Sequence, residues 1–313
     1  MGNKKVGVIG VGNVGATLAF NLATKNICNE IVLKDLRENY LQAMAIDISQ
    51  AANAANTSTK VSGEKEDFVN CDVIVITAGI PRKPGMSRDD LLITNAKIMT
   101  SVINEVKEFN KDAIYIIVSN PLDAMVYTAL KASGLPKNRV LGMAGILDSS
   151  RMAHFISKKL ENTQGKIKTA VMGGHGDTMV PLVNHCTVDD KKLTDILSKD
   201  DIEEIVTLTR KGGAQIVKLL GNGSAYYAPG YSTSLMVEAI LNDSKEIYPC
   251  AVLLDGEYGY KNITAGVPIK LGKEGCEEII ELELDPDQEN EFAKSVLSVK
   301  ELIDKLEEKF FNK

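Results

Sequence analysis

The chain has 313 residues, with 44% hydrophobic and 25% charged side chains and a net charge of −6. That balance excludes a disordered, collagenous or coiled-coil chain, and the length fits two domains or one large one with a core that needs no staple. An excess of acid makes the surface a poor match for nucleic acid or an anionic membrane, although a few converging arginines could still hold a small anion.

In chain order, the first half alternates short apolar runs with helical patterns. Lys5–Ile9 reads as a buried strand, followed by a glycine turn and a helix over residues 13–24. Residues 30–34 form a second strand, a helix runs through Asp47, and residues 59–62 suggest a third strand. Residues 71–77 (CDVIVIT) make a strong strand, followed by a Pro/Gly loop over 79–90 and a helix over 94–110. Residues 113–118 and 139–142 complete the series. Continuous apolar strands alternating with helices imply a parallel sheet covered on both faces.

The second half reads as α+β. Residues 168–172 and 181–188 are expected as hairpin strands, 200–220 and 225–241 as helices, and 250–254 and 266–269 as further strands. Phe292, Val296, Val299, Ile303, Leu306 and Phe310 repeat at spacings of four and three, the stripe of a terminal amphipathic helix. The pattern changes near residue 145, which divides the chain into residues 1–145 and 146–313. The class is α/β: a doubly wound parallel sheet followed by an α+β unit.

Five widely spaced cysteines without a CxxC suit free thiols in a reducing compartment rather than a disulfide set or zinc site. No apolar run is long enough for a membrane span, and the glycine-interrupted opening does not read as a signal peptide. A cytoplasmic protein is expected.

Four elements carry chemistry. Gly10, Val11, Gly12, Asn13, Val14 and Gly15 form GxGxxG between a strand and a helix. Such glycines permit a tight turn, a close approach of backbone to pyrophosphate and close strand–helix packing. Asp35, at the end of the second strand, suits the two ribose hydroxyls of adenosine and repels a 2′-phosphate, with Lys34 and Arg37 beside it. Arg82, Lys83 and Arg88 lie in the proline-rich loop after the fourth strand, where such sheets bind ligands. Asp148 and Arg151 share a helix face, and an arginine held this way presents a planar fork to a carboxylate.

His154, His175 and His185 are the histidines. His175 stands between glycines in GGHGD, open to a ligand, and its pKa range suits carrying a hydroxyl proton. His154 and His185 read as structural. A carboxylate on the second ring nitrogen would fix the tautomer. Asp148 and Asp177 are both placed for that role.

Taken together, GxGxxG, Asp35, the arginines after Thr77-Ala78-Gly79, Val118-Ser119-Asn120-Pro121, GILDSSR and GGHGD closely resemble the lactate/malate dehydrogenase family, on its lactate-dehydrogenase-like malate dehydrogenase branch. The resemblance covers nearly the whole chain. It implies NAD held by Gly10–Gly15 and Asp35, with Asn95 and Val118, Ser119 and Asn120 near the nicotinamide half. It implies His175 as acid/base, Asp148 as its orienter, Arg151 as the fork for the C1 carboxylate, Arg88 on the carbonyl from a closing loop, and Asn120 on substrate. Arg82 stands where the lactate branch typically has glutamine, so the implied substrates are malate and oxaloacetate, with lactate or another 2-hydroxyacid as the alternative. Ala225, where the lactate pattern typically has threonine, leaves room for the larger substrate. The family generally forms dimers or tetramers.

Overall fold

A computed structural model describes residues 3–81, 85–161, 163 and 165–312. β1 (Lys5–Ile9), β2 (Glu30–Lys34), β3 (Lys60–Ser62), β4 (Val73–Ile76), β5 (Ile114–Ile117) and β6 (Val140–Gly142) pair in parallel in the order 3-2-1-4-5-6. β4 and β5 are buried at every position, so both sheet faces are covered. α1 (Asn13–Thr24), α2 (Glu38–Ala54), α3 (Arg88–Val106) and α4 (Leu122–Ser133) are the covering helices of this half.

The order reverses between β1 and β4. That switch point leaves a crevice at the C-terminal strand ends, where open α/β sheets bind ligands. The glycine turn after β1 and the loop after β4 both open onto it.

α5 (Gly145–Lys159) begins the second half. β7 (Ile167–Lys168), β8 (Val171–Met172), β9 (Val180–Pro181), β10 (Thr187–Val188) and β11 (Lys191–Lys192) are short pieces in two small sheets. The single strand expected over 181–188 is instead broken by a helical turn at Val183–His185. There the ring Nε2 of His185 lies 3.1 Å from the Glu283 carbonyl, a contact from a distant segment that local propensity does not contain. α6 (Lys199–Leu220) and α7 (Tyr227–Asn242) follow.

β12 (Glu246–Asp255), β13 (Lys261–Gly272) and β14 (Gly275–Ile279) join the first sheet rather than forming their own. β12 pairs antiparallel with β6 through Ala251 and Gly142, giving nine strands. Gly142 is required there: a Cβ would stand 2.6 Å from Val126 Cγ2 and 2.9 Å from Ala251 Cβ. α8 (Pro286–Leu306) ends the fold, capped by Asp285, and its stripe of Phe292, Val296, Val299, Ile303 and Leu306 is buried as its spacing predicts. Cys28, Cys71, Cys186 and Cys250 are buried free thiols, and desolvation pushes Cys28 and Cys71 up to about 12. Among the described residues no helix is long and apolar enough to cross a membrane.

Candidate active site

The glycine turn fixes one end of the crevice. Gly10 has φ +88°, and a Cβ there would meet the Ala78 backbone nitrogen at 2.7 Å. A Cβ on Gly15 would stand 2.0 Å from the Gly10 carbonyl oxygen, so α1 packs on the turn only with glycine. Gly12 differs: its Cβ position is open, with nothing within 4 Å. α1 has neither a side-chain N-cap nor an acidic residue in its first turn. Its first N–H groups and positive end therefore have no side chain of the chain capping them, the arrangement that receives a pyrophosphate. α3, by contrast, is closed by a Ser87–Asp90 capping box.

Asp35 follows β2 and is nearly buried. Its Oδ2 accepts the Val11 N–H at 2.9 Å, which ties it to the glycine turn. Arg37 folds back on it, Nε to Oδ1 at 2.9 Å and Nη2 to Oδ2 at 3.1 Å, while its guanidinium lies over the Tyr40 ring at 3.9 Å. Burial opposes the charge on Asp35, but the hydrogen bonds from Arg37 and Val11 outweigh it and hold the carboxyl below its ordinary range. Asp35 is thus an anion at neutral pH, placed for ribose hydroxyls. The open Gly12 position, the uncapped α1 and the ionised Asp35 fit a dinucleotide.

The other end is built from α4, α5 and the histidine loop. His175 Nδ1 lies 2.8 Å from Asp148 Oδ2, and Asp148 Oδ1 accepts from Arg151 Nη1 at 2.7 Å. Asp148 is 1% exposed, whereas Asp177 is exposed. Between the two carboxylates open to sequence reasoning, the geometry selects Asp148. Burial pulls the proton affinity of His175 down, but attraction and hydrogen bonding by Asp148 outweigh it, so its pKa is raised. With Nδ1 committed, Nε2 is the nitrogen left for substrate.

Arg151 sits against a glycine pair. Cβ atoms on Gly212 and Gly213 would lie 3.6 Å from Arg151 Cδ and 3.4 Å from Nη2. At those distances a Cβ would make only ordinary van der Waals contact, so α6 packs closely against the guanidinium without requiring glycine there.

Asn95 is buried on α3 and spends its amide on backbone. Nδ2 donates to the carbonyls of Ile80 and Asn120, and Oδ1 accepts the Ile80 N–H at 2.9 Å. It therefore braces the loop after β4 against Asn120. Ser119 Oγ donates to the Ala78 carbonyl at 2.6 Å, and the Val118 N–H donates to Ile76, which places this segment beside the same loop. Arg88 is not in a loop: it is exposed in the first turn of α3 and makes no hydrogen bond to the His175–Asp148–Arg151 group. Arg82 lies outside the described residues. His154 is exposed against Phe155, and neither it nor His185 meets Asp148.

Sequence reasoning missed three residues that hold the histidine loop. Asp123 Oδ2 accepts the His175 N–H at 2.9 Å, Ser295 Oγ accepts the Gly174 N–H at 2.8 Å, and Gly266 pairs with Gly173. Asp123 left one signal, a lone carboxylate in the apolar segment LDAMV just after Asn120.

A model of the lactate/malate dehydrogenase NAD-binding domain matches residues 4–142, and one of the lactate/malate dehydrogenase alpha/beta C-terminal domain matches residues 146–310. The chain is 60% identical to a malate dehydrogenase of Aliarcobacter butzleri over 314 residues, spanning 100% of both. Among solved structures it resembles malate dehydrogenase from Salinibacter ruber (TM-score 0.92, 41% identity, 97% of this chain and 98% of that one). It also resembles lactate dehydrogenase from Cryptosporidium parvum complexed with lactic acid and NAD (TM-score 0.93, 36% identity, 98% and 99%).

Proposed function

The chain belongs to the lactate/malate dehydrogenase family, and from that premise we propose that it interconverts (S)-malate + NAD⁺ and oxaloacetate + NADH + H⁺. The observation that carries the reading is the chain Arg151–Asp148–His175, in which one buried carboxylate orients both a fork and an acid/base. Gly10–Gly15 and Asp35 would hold the dinucleotide, which when bound would supply the hydride acceptor for C2.

Neutral His175 accepts the C2 hydroxyl proton at Nε2 while Asp148 holds Nδ1–H and offsets the growing imidazolium charge. Arg151 engages Asp148 through Nη1, and its remaining N–H groups receive the C1 carboxylate. Arg88 moves from the first turn of α3 onto the C2 oxygen, where its grip strengthens as carbonyl polarity develops. Arg82 pairs with the distal carboxylate that malate has and lactate lacks. Asn120 contacts substrate, and Asn95 acts on the nicotinamide end through the Ile80 and Asn120 backbone that it ties.

Residues 1–145 serve as the NAD unit and 146–313 as the substrate unit, in a cytoplasmic homo-oligomer, a dimer or tetramer. Exposed Phe20, Tyr227 and Tyr231, beside a groove of about 670 Å³ on α1 and α7, support self-association. Sedimentation at micromolar concentration tests this, and a monomer would contradict it. Turnover with oxaloacetate and pyruvate side by side tests the substrate assignment.

A further inference from the structure

Three consecutive N–H groups of the histidine loop are held by three different elements. Gly173 donates to the Gly266 carbonyl on β13 at 2.7 Å, Gly174 to Ser295 on α8, and His175 to Asp123 on α4. The first two acceptors are neutral, as a structural clamp requires. The third is a carboxylate, 5% exposed, whose Oδ1 is buried with no hydrogen-bond partner among the described residues. An asparagine would offer His175 the same acceptor without burying a charge. The carboxylate therefore supplies something that an amide does not.

The charged groups acting on His175 are Asp148 and Arg151 from α5 and Asp123 from α4. β13 and α8 bring the hydroxyls of Thr264, which donates to the Asp123 carbonyl at 2.8 Å, and Ser295. Desolvation pushes the Asp123 carboxyl up to about 6, into the range where histidine titrates.

We propose that Asp123 is a positioning residue for proton transfer at His175: it fixes the main chain from which the ring projects, and it places a second negative charge beside the imidazolium. The proposal rests on His175 being the acid/base. Its acceptor function and its charge are separable by substitution. Asp123→Asn keeps an oxygen for the His175 N–H and removes the charge, whereas Asp123→Ala removes both.

The test is malate oxidation by the intact enzyme over a range of roughly pH 5.5 to 10, for wild type, both variants and His175→Asn. Asp123→Asn should keep kcat on the alkaline plateau within about threefold of wild type. The acid limb of its kcat/KM should move to lower pH by about half a unit or more, because the imidazolium has lost a stabilising charge. Asp123→Ala should lose about 10–100-fold in kcat with NADH affinity unchanged, since the ring is no longer held in place. An Asp123→Asn limb at the wild-type position, or wild-type kcat in Asp123→Ala, overturns the proposal. If Asp123→Ala does not fold, the limb of Asp123→Asn decides alone. Normal turnover by His175→Asn would instead defeat the acid/base assignment, a failure separate from that of Asp123.

Discussion

Nδ1 of His175 and Oδ2 of Asp148 stand 2.8 Å apart, and the other oxygen of Asp148 is held by Arg151. One carboxylate thus aligns His175 and Arg151, the groups proposed to move the proton and to receive the substrate carboxylate. The sign of the pH dependence follows. Burial alone would lower the proton affinity of His175; Asp148 raises it above the ordinary value. Oxaloacetate reduction needs the imidazolium, so kcat/KM for reduction falls as pH rises through the raised pKa. Malate oxidation needs the neutral ring and rises through the same window. In Asp148→Asn the largest charge opposing burial is lost and the tautomer is no longer fixed. Its kcat should drop by about 10²-fold or more and its oxidation limb should move to lower pH, measured by steady-state rates against pH. His175→Asn should lose about 10²-fold or more while still binding NADH, and His154→Asn should retain most activity.

Gly12 and Gly15 make a matched pair of substitutions. An added Cβ at Gly15 collides with backbone at 2.0 Å, whereas at Gly12 it meets no protein atom within 4 Å. Gly15→Ala should therefore lower both Tm and NADH affinity. Gly12→Ala should leave Tm within about 1 °C and still weaken NADH by roughly 10-fold, because the space it fills is meant for the pyrophosphate. Calorimetry and NADH fluorescence titration measure the two effects. Unchanged NADH binding in Gly12→Ala would show that the open position is not a phosphate seat.

In the proposed mode of cofactor binding, the choice between NAD and NADP rests on Asp35 and on the Arg37 that lies over it. Wild type should favour NAD over NADP, by roughly 10²-fold in kcat/KM. Arg37 offsets the repulsion of a 2′-phosphate, so Arg37→Ala should widen the preference and Asp35→Ser should narrow it. The ratio of kcat/KM for the two cofactors in each variant is the measurement. A narrower ratio in Arg37→Ala would mean that Arg37 is not what admits NADP.

The sequence predicts β1, α1 and β2 to the residue, because an apolar run, a glycine turn and a helical stripe act locally there. α3 starts earlier than its apolar pattern suggests. Its capping box, Ser87 with Asp90, lies within a stretch that prolines and a glycine mark as loop. α4 escaped notice because its residues are buried almost all round its first two turns, which erases the polar face that periodicity needs. Motif residues near in sequence, such as Asp148 and Arg151, were legible as a pair. Spacing left Asp148 and Asp177 both open as partner of His175 and the family resemblance implied Asp148; the contact itself is made only in the fold, which brings the histidine loop to α5. Asp123 and Ser295 lie 52 and 121 residues from the N–H groups they accept, and no local pattern announces such contacts.

The central claim, that two carboxylates are recognised, is tested most directly by kcat/KM for oxaloacetate and pyruvate with NADH, in wild type and Arg82→Gln. Wild type should prefer oxaloacetate. Arg82→Gln should lose about 10²–10⁴-fold on oxaloacetate, since a distal carboxylate would enter a closed site unpaired. Its rate with pyruvate should hold or rise, because no unmatched arginine opposes the methyl group. Wild-type preference for pyruvate, or an equal loss on both substrates in Arg82→Gln, would contradict the account.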